Sequence, residues 1–247
     1  MRLARLVTAV VSVGLFALPV LGTAGTAQAA DTVQTRIAGV TISPTLKGYK
    51  ASTTQFNKEF SLSARIEGLD PNDGQWKTVP FISTATVVLE RQLAGSTAWT
   101  VIETKTGTSG SYFRYPIKAV SNATYRLRYS GGDYTTSGGT TTFAPATASK
   151  ALKVMRIFNE KINSRTLVLS GKVGPAFKRK RVVIQRRNCL KKSCKWTVQT
   201  RVKTNAKSRF RVKLPARQGT RTYFRAYIPN NKQFVKSYSN VYYTIRF

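Results

Sequence analysis

The stretch "TVVLERQ" at residues 86–92, followed by "WTVIETKT" at 99–106, decides the fold of this chain. Both segments are rich in Val, Ile and Thr, which favour strands. Two further segments of the same kind follow, "SYFRYPI" at 111–117 and "TYRLRYS" at 124–130, with Gly, Ser and Asn clusters between them. Short strands at intervals of about ten residues predict an all-β sandwich.

The same order of segments returns downstream, at an offset of about 100 residues. The second set is "RVVIQRR" (181–187), "WTVQTRVKT" (196–204), "AKSRFRVKL" (206–214) and "TYFRAYI" (222–228). A repeat of this length indicates two tandem domains rather than a solenoid. Between the copies, residues 144–154 are small and contain one proline. This composition predicts a short, semi-flexible linker.

The repeated pattern is V-x-L/I-x-R, then W-T-V, then a polar turn, x-F-x-hydrophobic and T-Y-x-x-x-Y. It resembles the bacterial Ig-like repeat domains of secreted actinobacterial proteins. The resemblance implies two tandem Ig-like β-sandwich domains, which we place at residues 30–143 and 155–247. It also implies an adhesive, spacer or binding role, because such domains share no catalytic residues.

Side-chain alternation supports the same fold and leaves one register open. In "SRFRVKL" (208–214) apolar and basic residues alternate, so one strand face packs while Arg209, Arg211 and Lys213 meet water. In "TYFRAYI", alignment by the tyrosines turns Arg225 inward, to the position that Leu127 holds in the first copy. A buried unpaired guanidinium is costly. Either the register shifts by one residue or Arg225 extends to an edge.

Residues 1–29 have the pattern of a secretory signal peptide. Arg2 and Arg5 precede an apolar run from Leu6 to Leu21, and Ala27-Gln28-Ala29 fits an A-x-A cleavage site. The run is short for a spanning helix, which needs about 20 residues. We therefore expect a secreted, extracellular monomer, with cell-wall association and with no membrane insertion after signal cleavage.

The residue types present argue against an enzyme. The chain has no histidine, which removes the commonest general base and metal ligand. Glu90 and Glu103 fall on neighbouring predicted strands, and their alternation predicts an exposed pair rather than a catalytic pair. "DPNDG" at 70–74 is typical of a turn and has too few ligands for calcium. We expect no catalytic residues, no metal and no cofactor.

The only two cysteines, Cys189 and Cys194, lie within "NCLKKSCKW" at 188–196. Two ligands are too few for a structural zinc site, and the spacing is not that of a redox C-x-x-C motif. Thiols of an exported protein oxidise. Because the pair lies between two strands that should form a hairpin, we predict a disulfide closing the hairpin loop. The first copy closes the same loop with "LAGSTA" (93–98) and no cysteine.

The chain is strongly positive, and its positive charge is concentrated in the second half. The chain has 41 Lys and Arg against 9 Asp and Glu, and residues 161–247 hold 24 basic residues and no acidic one. Such a field attracts polyanions. We therefore predict a secreted non-catalytic binding or structural protein whose second domain associates with an anionic cell-envelope polymer, either teichoic acid or an acidic polysaccharide. The candidate binding residues are Lys178, Arg179, Lys180, Arg181, Arg186, Arg187, Lys191, Lys192, Lys195, Arg209, Arg211 and Lys213.

Two alternatives follow from the same sequence. One is a structural or adhesive module that binds another protein through a sheet edge or an apolar patch. The other is extracellular nucleic-acid binding, since Lys and Arg suit phosphate contacts. Against the second stands the pattern along the basic strands, where few aromatic residues interleave with the charges as stacking platforms would.

Overall fold

Strands account for the regular structure of both copies, as the alternation predicts. The structure is a computed structural model that describes residues 32–43, 52–110, 112–191 and 193–246. The predicted signal peptide lies outside the described residues. None of the described residues forms a helix long and apolar enough to cross a membrane.

The first copy contains twelve strands among these residues. They are β1 (Thr32–Val33), β2 (Thr35–Ser43), β3 (Thr53–Gln55), β4 (Glu59–Leu69), β5 (Trp76–Thr78), β6 (Ile82–Leu93), β7 (Thr100–Thr108), β8 (Phe113–Lys118), β9 (Ala123–Tyr129), β10 (Gly132–Thr136), β11 (Gly139–Phe143) and β12 (Ala146–Met155). One sheet has the order β3-β12-β9-β6-β7, and the other has β2-β4-β5 with β8 on β4. A small sheet, β1-β11-β10, adjoins them.

The second copy contains eight strands among the described residues. They are β13 (Ile157–Asn163), β14 (Val168–Gly174), β15 (Arg181–Arg187), β16 (Thr197–Lys203), β17 (Arg209–Lys213), β18 (Thr222–Ile228), β19 (Ser237–Tyr238) and β20 (Tyr242–Thr244). A three-stranded sheet, β13-β14-β17, packs against a five-stranded sheet of order β16-β15-β18-β19 with β20 on β18. The predicted all-β fold of two tandem Ig-like sandwiches is confirmed.

Each sandwich has its own apolar core. Leu89, Leu127 and Phe60 are at most 1% exposed in the first, and Ile184 and Phe224 are fully buried in the second. Burial of such side chains contributes about 1.5–3 kcal/mol each. The inward side of every long strand is therefore fixed by its apolar residues, and the alternate residues face outward.

The pairing of β18 settles the position of Arg225. Ile184 lies opposite Ala226, whereas its counterpart Leu89 lies opposite Leu127. Arg225 therefore corresponds to Arg126, and the alternative in which the register shifts by one residue is confirmed. Arg225 is half-buried on the outer side of the sheet.

The segment between the copies is a strand, which corrects the predicted semi-flexible linker at 144–154. Strand β12 pairs antiparallel with β9 from Ala146 to Leu152, and its last three residues pair parallel with β3. The composition of β12 does not by itself predict a strand. This segment is a strand because the neighbouring strands hydrogen-bond to its backbone.

The two sandwiches share a junction of buried side chains and backbone bonds. Phe234 comes from the second copy but packs into the first core, with its ring centre 6.4 Å from that of Phe56. Asn122 donates through Nδ2 to the carbonyl of Lys232 (3.0 Å) and accepts at Oδ1 from the backbone N–H of Val154 (2.8 Å). The described sandwiches are therefore joined by specific contacts as well as by the chain.

The predicted disulfide is confirmed. Cys189 and Cys194 are bonded, with their Cα atoms 5.8 Å apart, in the loop between β15 and β16. The bond closes a hairpin that its counterpart between β6 and β7 closes without one. Compared with that counterpart, this loop has one additional covalent bond. Its residues belong to neither core.

Replacing Cys189 and Cys194 together with Ser is expected to lower the free energy of unfolding by at most about 2 kcal/mol, because the closed loop is short. Urea denaturation with and without reductant measures this. The wild type should lose stability on reduction to the level of the variant, and the variant should not respond to reductant. If the urea midpoint of the wild type is the same with and without reductant, the prediction is wrong.

Candidate anion-binding face of the second sandwich

The three-stranded sheet of the second sandwich gathers basic side chains from three strands on its outer surface. Cross-strand neighbours form rows across this surface. From β17 across β14 to β13, the rows are Arg209–Lys172–Asn159, Arg211–Ser170–Lys161 and Lys213–Val168–Asn163. We call the set Lys161, Lys172, Arg209, Arg211 and Lys213 the basic face; all five are exposed.

The core residues of these strands determine which way the charges point. Phe210 is 3% exposed and packs in the core, so its neighbours in β17 face outward. In β14, buried Leu169 and Val173 place Lys172 on the same outer surface. Outward residues recur about every 7 Å along a strand and about every 5 Å between strands. The result is an array of charges at short, regular spacing on one surface of the sheet.

Among the described residues, no Asp or Glu side chain forms an ion pair with this array. Glu160 is the only acidic residue in 155–247, and it alternates with Lys161 to the other side of the sheet. Its Oε1 accepts from the backbone N–H of Asn240 at 2.8 Å. Among the described residues, the ion pairs that form all lie in the first sandwich. No described Asp or Glu side chain therefore neutralises the basic face.

Two of the predicted residues, Lys178 and Arg179, border the basic face at one end. Lys178 lines a shallow depression with Lys172 and Arg209, and Arg179 lines another with Arg209 and Arg211. Lys180 and Arg181 follow them and are exposed at the start of β15. The structure thus brings the turn before β15 close to strand β17.

The remaining predicted residues lie elsewhere. Arg186 and Arg187 end β15, about 20 Å along the strand from Arg181, and both are half-buried. Lys191 and Lys195 are exposed in the disulfide loop, and Lys192 lies outside the described residues. Of the predicted residues outside β17, only Lys178 and Arg179 are therefore found beside the basic face.

Sequence reasoning missed Lys161 and Lys172. Each is a single basic residue in a strand, β13 or β14, that shows no basic alternation of its own. Only the pairing of these strands with β17 places them beside Arg209 and Arg211. The alternation of Leu169 and Val173 was a usable signal for the outward direction of Lys172.

Glu90 differs from its prediction. It was expected to be exposed beside Glu103, but it is 5% exposed and paired with Arg126 and Arg128. It does lie on the outer side of the sheet, as alternation requires; the two long arginine side chains from β9 cover it there. Burial raises the pKa of Glu90, but the hydrogen bonds and charges of the two arginines outweigh this, so its pKa is lowered. Glu103 is half-exposed, 3.9 Å from Lys105.

The "DPNDG" segment is a turn held by a lysine. Nζ of Lys77 lies 2.5 Å from a carboxylate oxygen of Asp70 and 2.8 Å from one of Asp73. Hydrogen bonds from Lys77 hold the pKa of both carboxyls below their usual values. The described residues contain no group of three or more Asp, Glu or Cys that could hold a metal ion.

These sheets define a tandem Ig-like β-sandwich protein with a strongly basic second sandwich. No family model matches the chain, and no curated protein matches it. Among solved structures it is similar to the FN1–FN3 domains of chicken CNTN1, with 11% identity and a TM-score of 0.24 over 88% of this chain and 69% of that one. It is also similar to Tp47, the 47-kilodalton lipoprotein of Treponema pallidum, with 14% identity and a TM-score of 0.26 over 86% of this chain and 51% of that one.

Proposed function

We propose that this protein is a secreted, non-catalytic binding protein whose second sandwich associates with an anionic polymer of the cell envelope. One observation carries the proposal: three strands bring Lys161, Lys172, Arg209, Arg211 and Lys213 onto a single exposed face, while Glu160, the only Asp or Glu of residues 155–247, lies on the other side of the sheet. A solvated face without a partner would normally mix both signs of charge.

The geometry of the basic face suits an extended chain with repeating charges. Arginine guanidinium groups bind phosphate or carboxylate oxygens through two parallel hydrogen bonds, and lysine adds point charges beside them. Regular spacing on one sheet surface lets several such contacts form along one polymer. Each exposed contact is weak and is screened by salt, so binding depends on their number. Teichoic acid and an acidic polysaccharide both meet this requirement.

Charge reversal tests the proposal. The variant R209E/R211E is expected to bind isolated cell wall at least tenfold more weakly than the wild type, because like charges then face the polymer. The matched control K191E/K195E makes the same charge change in the disulfide loop and should keep most of the affinity. Co-sedimentation with wall, measured at two salt concentrations, gives the dissociation constants.

The same assay can contradict the proposal in two ways. Retention of the wild type on wall from which anionic polymers have been extracted would exclude them as the ligand. Equal losses in R209E/R211E and K191E/K195E would show that total charge, and not the basic face, sets the affinity. Competition with DNA tests the nucleic-acid alternative, since a nucleic-acid binder should be released from wall by DNA and not by teichoic acid.

A further inference from the structure

A trough crosses the outer surface of the three-stranded sheet in the second sandwich, above its central strand β14. Outward residues of β14 include Val168, Ser170 and Lys172, because Leu169 and Val173 between them are buried. Ser170 has a short side chain. Strand pairing places Arg211 of β17 on one side of it and Lys161 of β13 on the other. These three residues line one depression. We call the space above Ser170, between the side chains of β13 and those of β17, the trough.

The trough continues along the basic face. A second depression shares Lys161 and Ser170 with the first and adds Lys172 and Arg209. A third shares Lys172 and Arg209 with the second and reaches Phe56 of the first sandwich. Outward residues recur about every 7 Å along a strand. An extended chain lying in the trough therefore meets a new pair of side chains at about that interval.

The trough offers charges and short polar groups, and its strands turn their rings away from it. None of the outward residues of the described strands β13, β14 and β17 is aromatic. The rings in these strands, Phe158 and Phe210, face the core, with their centres 6.3 Å apart. Glu160 borders the second depression, but its Oε1 accepts from the backbone N–H of Asn240 at 2.8 Å. A ligand in the trough is therefore bound by cations and not by ring packing.

The position of the cations on both sides of the trough favours phosphate over carboxylate. The two unshared oxygens of a phosphodiester diverge, so one can accept from Arg211 while the other accepts from Lys161. Two strand spacings, about 10 Å, separate the backbones of these residues, and their long side chains can narrow this gap. Arg binds phosphate through two parallel hydrogen bonds, and Lys adds a point charge. The oxygens of a carboxylate lie on one carbon and point the same way, so a carboxylate is served by one side.

We propose that the polymer bound in the trough is a linear phosphodiester chain with no ring between its phosphates, of which poly(glycerol phosphate) is a simple example. This inference rests on the proposed function and chooses the teichoic-acid class over the acidic polysaccharide. A sugar ring gains affinity when its apolar side packs on an aromatic ring, and the strands of the trough present none. A polyol phosphate chain needs only donors at regular spacing, which the trough supplies from both sides.

Nucleic acid is the other phosphodiester polymer that the charges could attract. Single-stranded nucleic acid is bound by a basic groove together with aromatic side chains on which successive bases stack. The trough provides the first part and lacks the second. A polymer without bases therefore suits it better, and oligo(dT) becomes one arm of the test.

A comparison of three polymers tests the choice of ligand. Calorimetric titration uses poly(glycerol phosphate), oligogalacturonate and oligo(dT) with equal numbers of charges, at one ionic strength because such binding depends on salt. The wild type is expected to bind poly(glycerol phosphate) at least tenfold more tightly than either of the others. Equal or tighter binding of oligogalacturonate would overturn the inference. Equal or tighter binding of oligo(dT) would overturn it too, and would assign the trough to nucleic acid.

Two substitutions of equal charge test the contact from both sides. Lys161→Gln should weaken poly(glycerol phosphate) binding several-fold, about as much as Arg211→Gln, because each residue contacts the same phosphates from its own strand. Lys191→Gln is the matched control, since it removes the same charge from an exposed lysine in the disulfide loop and should leave the affinity unchanged. A loss in Arg211→Gln together with none in Lys161→Gln would show binding from one side only, and the inference would be wrong.

Filling the trough tests its shape without changing a charge. Ser170→Tyr places a large side chain between Lys161 and Arg211 and should weaken poly(glycerol phosphate) binding at least tenfold. Its melting temperature should stay close to that of the wild type, because Ser170 faces outward and Tyr favours strands. Ser193→Tyr makes the same change at an exposed site in the disulfide loop and should bind as the wild type does. Unchanged affinity in a folded Ser170→Tyr would contradict the inference.

Failure of this inference can be told apart from failure of the proposed function. If R209E/R211E loses wall binding but oligogalacturonate releases the wild type from wall better than poly(glycerol phosphate) does, the basic face binds an anionic polymer and the phosphodiester assignment is wrong. If R209E/R211E binds wall as tightly as the wild type, the proposed function itself is wrong, whatever the order of the three polymers.

Discussion

Replacing Phe234 with Ala is expected to lower the free energy of unfolding by about 3–5 kcal/mol, the range for a large aromatic residue removed from a packed site. Phe234 is 4% exposed although it lies in a connecting segment. Its ring packs in the core of the first sandwich, beside Phe56, while its backbone belongs to the second. The substitution therefore removes apolar contact from the junction between the two sandwiches as well as from one core.

Arg156 makes the junction more sensitive to this change. Its side chain is buried, with Cζ 4.1 Å from the ring centre of Phe234 and 4.8 Å from that of Phe177. Nη1 donates to the carbonyl of Pro175 at 3.1 Å, and burial lowers the pKa of the guanidinium. A buried cation is held here by ring faces and a carbonyl. Without the ring of Phe234, Arg156 gains water but loses its stacking partner.

Calorimetry and urea denaturation measure the effect. The wild type should unfold in one transition, because the junction couples the sandwiches, and Phe234→Ala should split it into two. Phe81→Ala is the matched control, since Phe81 is 59% exposed and the same deletion there should cost less than about 1 kcal/mol. If Phe234→Ala unfolds in a single transition and loses as little free energy of unfolding as Phe81→Ala, Phe234 does not couple the sandwiches.

Local features of this chain were predictable from its sequence. The alternation in "SRFRVKL" gives the outward direction of Arg209, Arg211 and Lys213, and the disulfide joins residues five apart in a single hairpin loop. Both depend on the geometry of one strand or one turn. The repeat adds the two-sandwich fold, because matching segments in the same order build matching sheets.

Features that depend on pairing between distant strands were not predictable. Lys161 and Lys172 join the basic face only through the registers of β13, β14 and β17. Residues 146–155 have the composition of a linker and become a strand because β9 and β3 offer their edges. The orientation of Arg225 needed the partner of Ile184 to be known. In each case a backbone hydrogen-bond partner, and not side-chain pattern, decides the structure.

Replacing Glu90 with Gln is expected to lower the free energy of unfolding by about 3 kcal/mol at neutral pH, because it removes one partner of a largely buried charge cluster. Glu90 is the acceptor for both Arg126 and Arg128. Glutamine accepts only part of these hydrogen bonds and leaves two guanidinium groups close together without a negative charge. The partial exposure of Arg128 keeps the loss at the lower end of the range for buried pairs.

The dependence on pH identifies the cause of the loss. Because the pKa of Glu90 is lower in the folded protein than its ordinary value of 4.5, its ionisation stabilises the fold above about pH 4.5. This stabilisation disappears as the pH falls through the folded-state pKa. The difference in stability between wild type and Glu90→Gln should therefore be full at pH 7 and shrink on acidification. Glu67, whose pKa is also lowered by two arginines, contributes equally to both proteins and cancels.

The second copy supplies the test of this explanation. There, Gln185 and Tyr227 stand where Glu90 and Arg128 stand in the first copy. The double variant E90Q/R128Y reproduces that arrangement, so it should recover part of the stability that Glu90→Gln loses, measured as a coupling energy by urea denaturation. Glu103→Gln, at a half-exposed carboxylate, is the control and should change little. If the stability losses of the two single substitutions simply add in the double variant, Glu90 does not act by offsetting repulsion between Arg126 and Arg128.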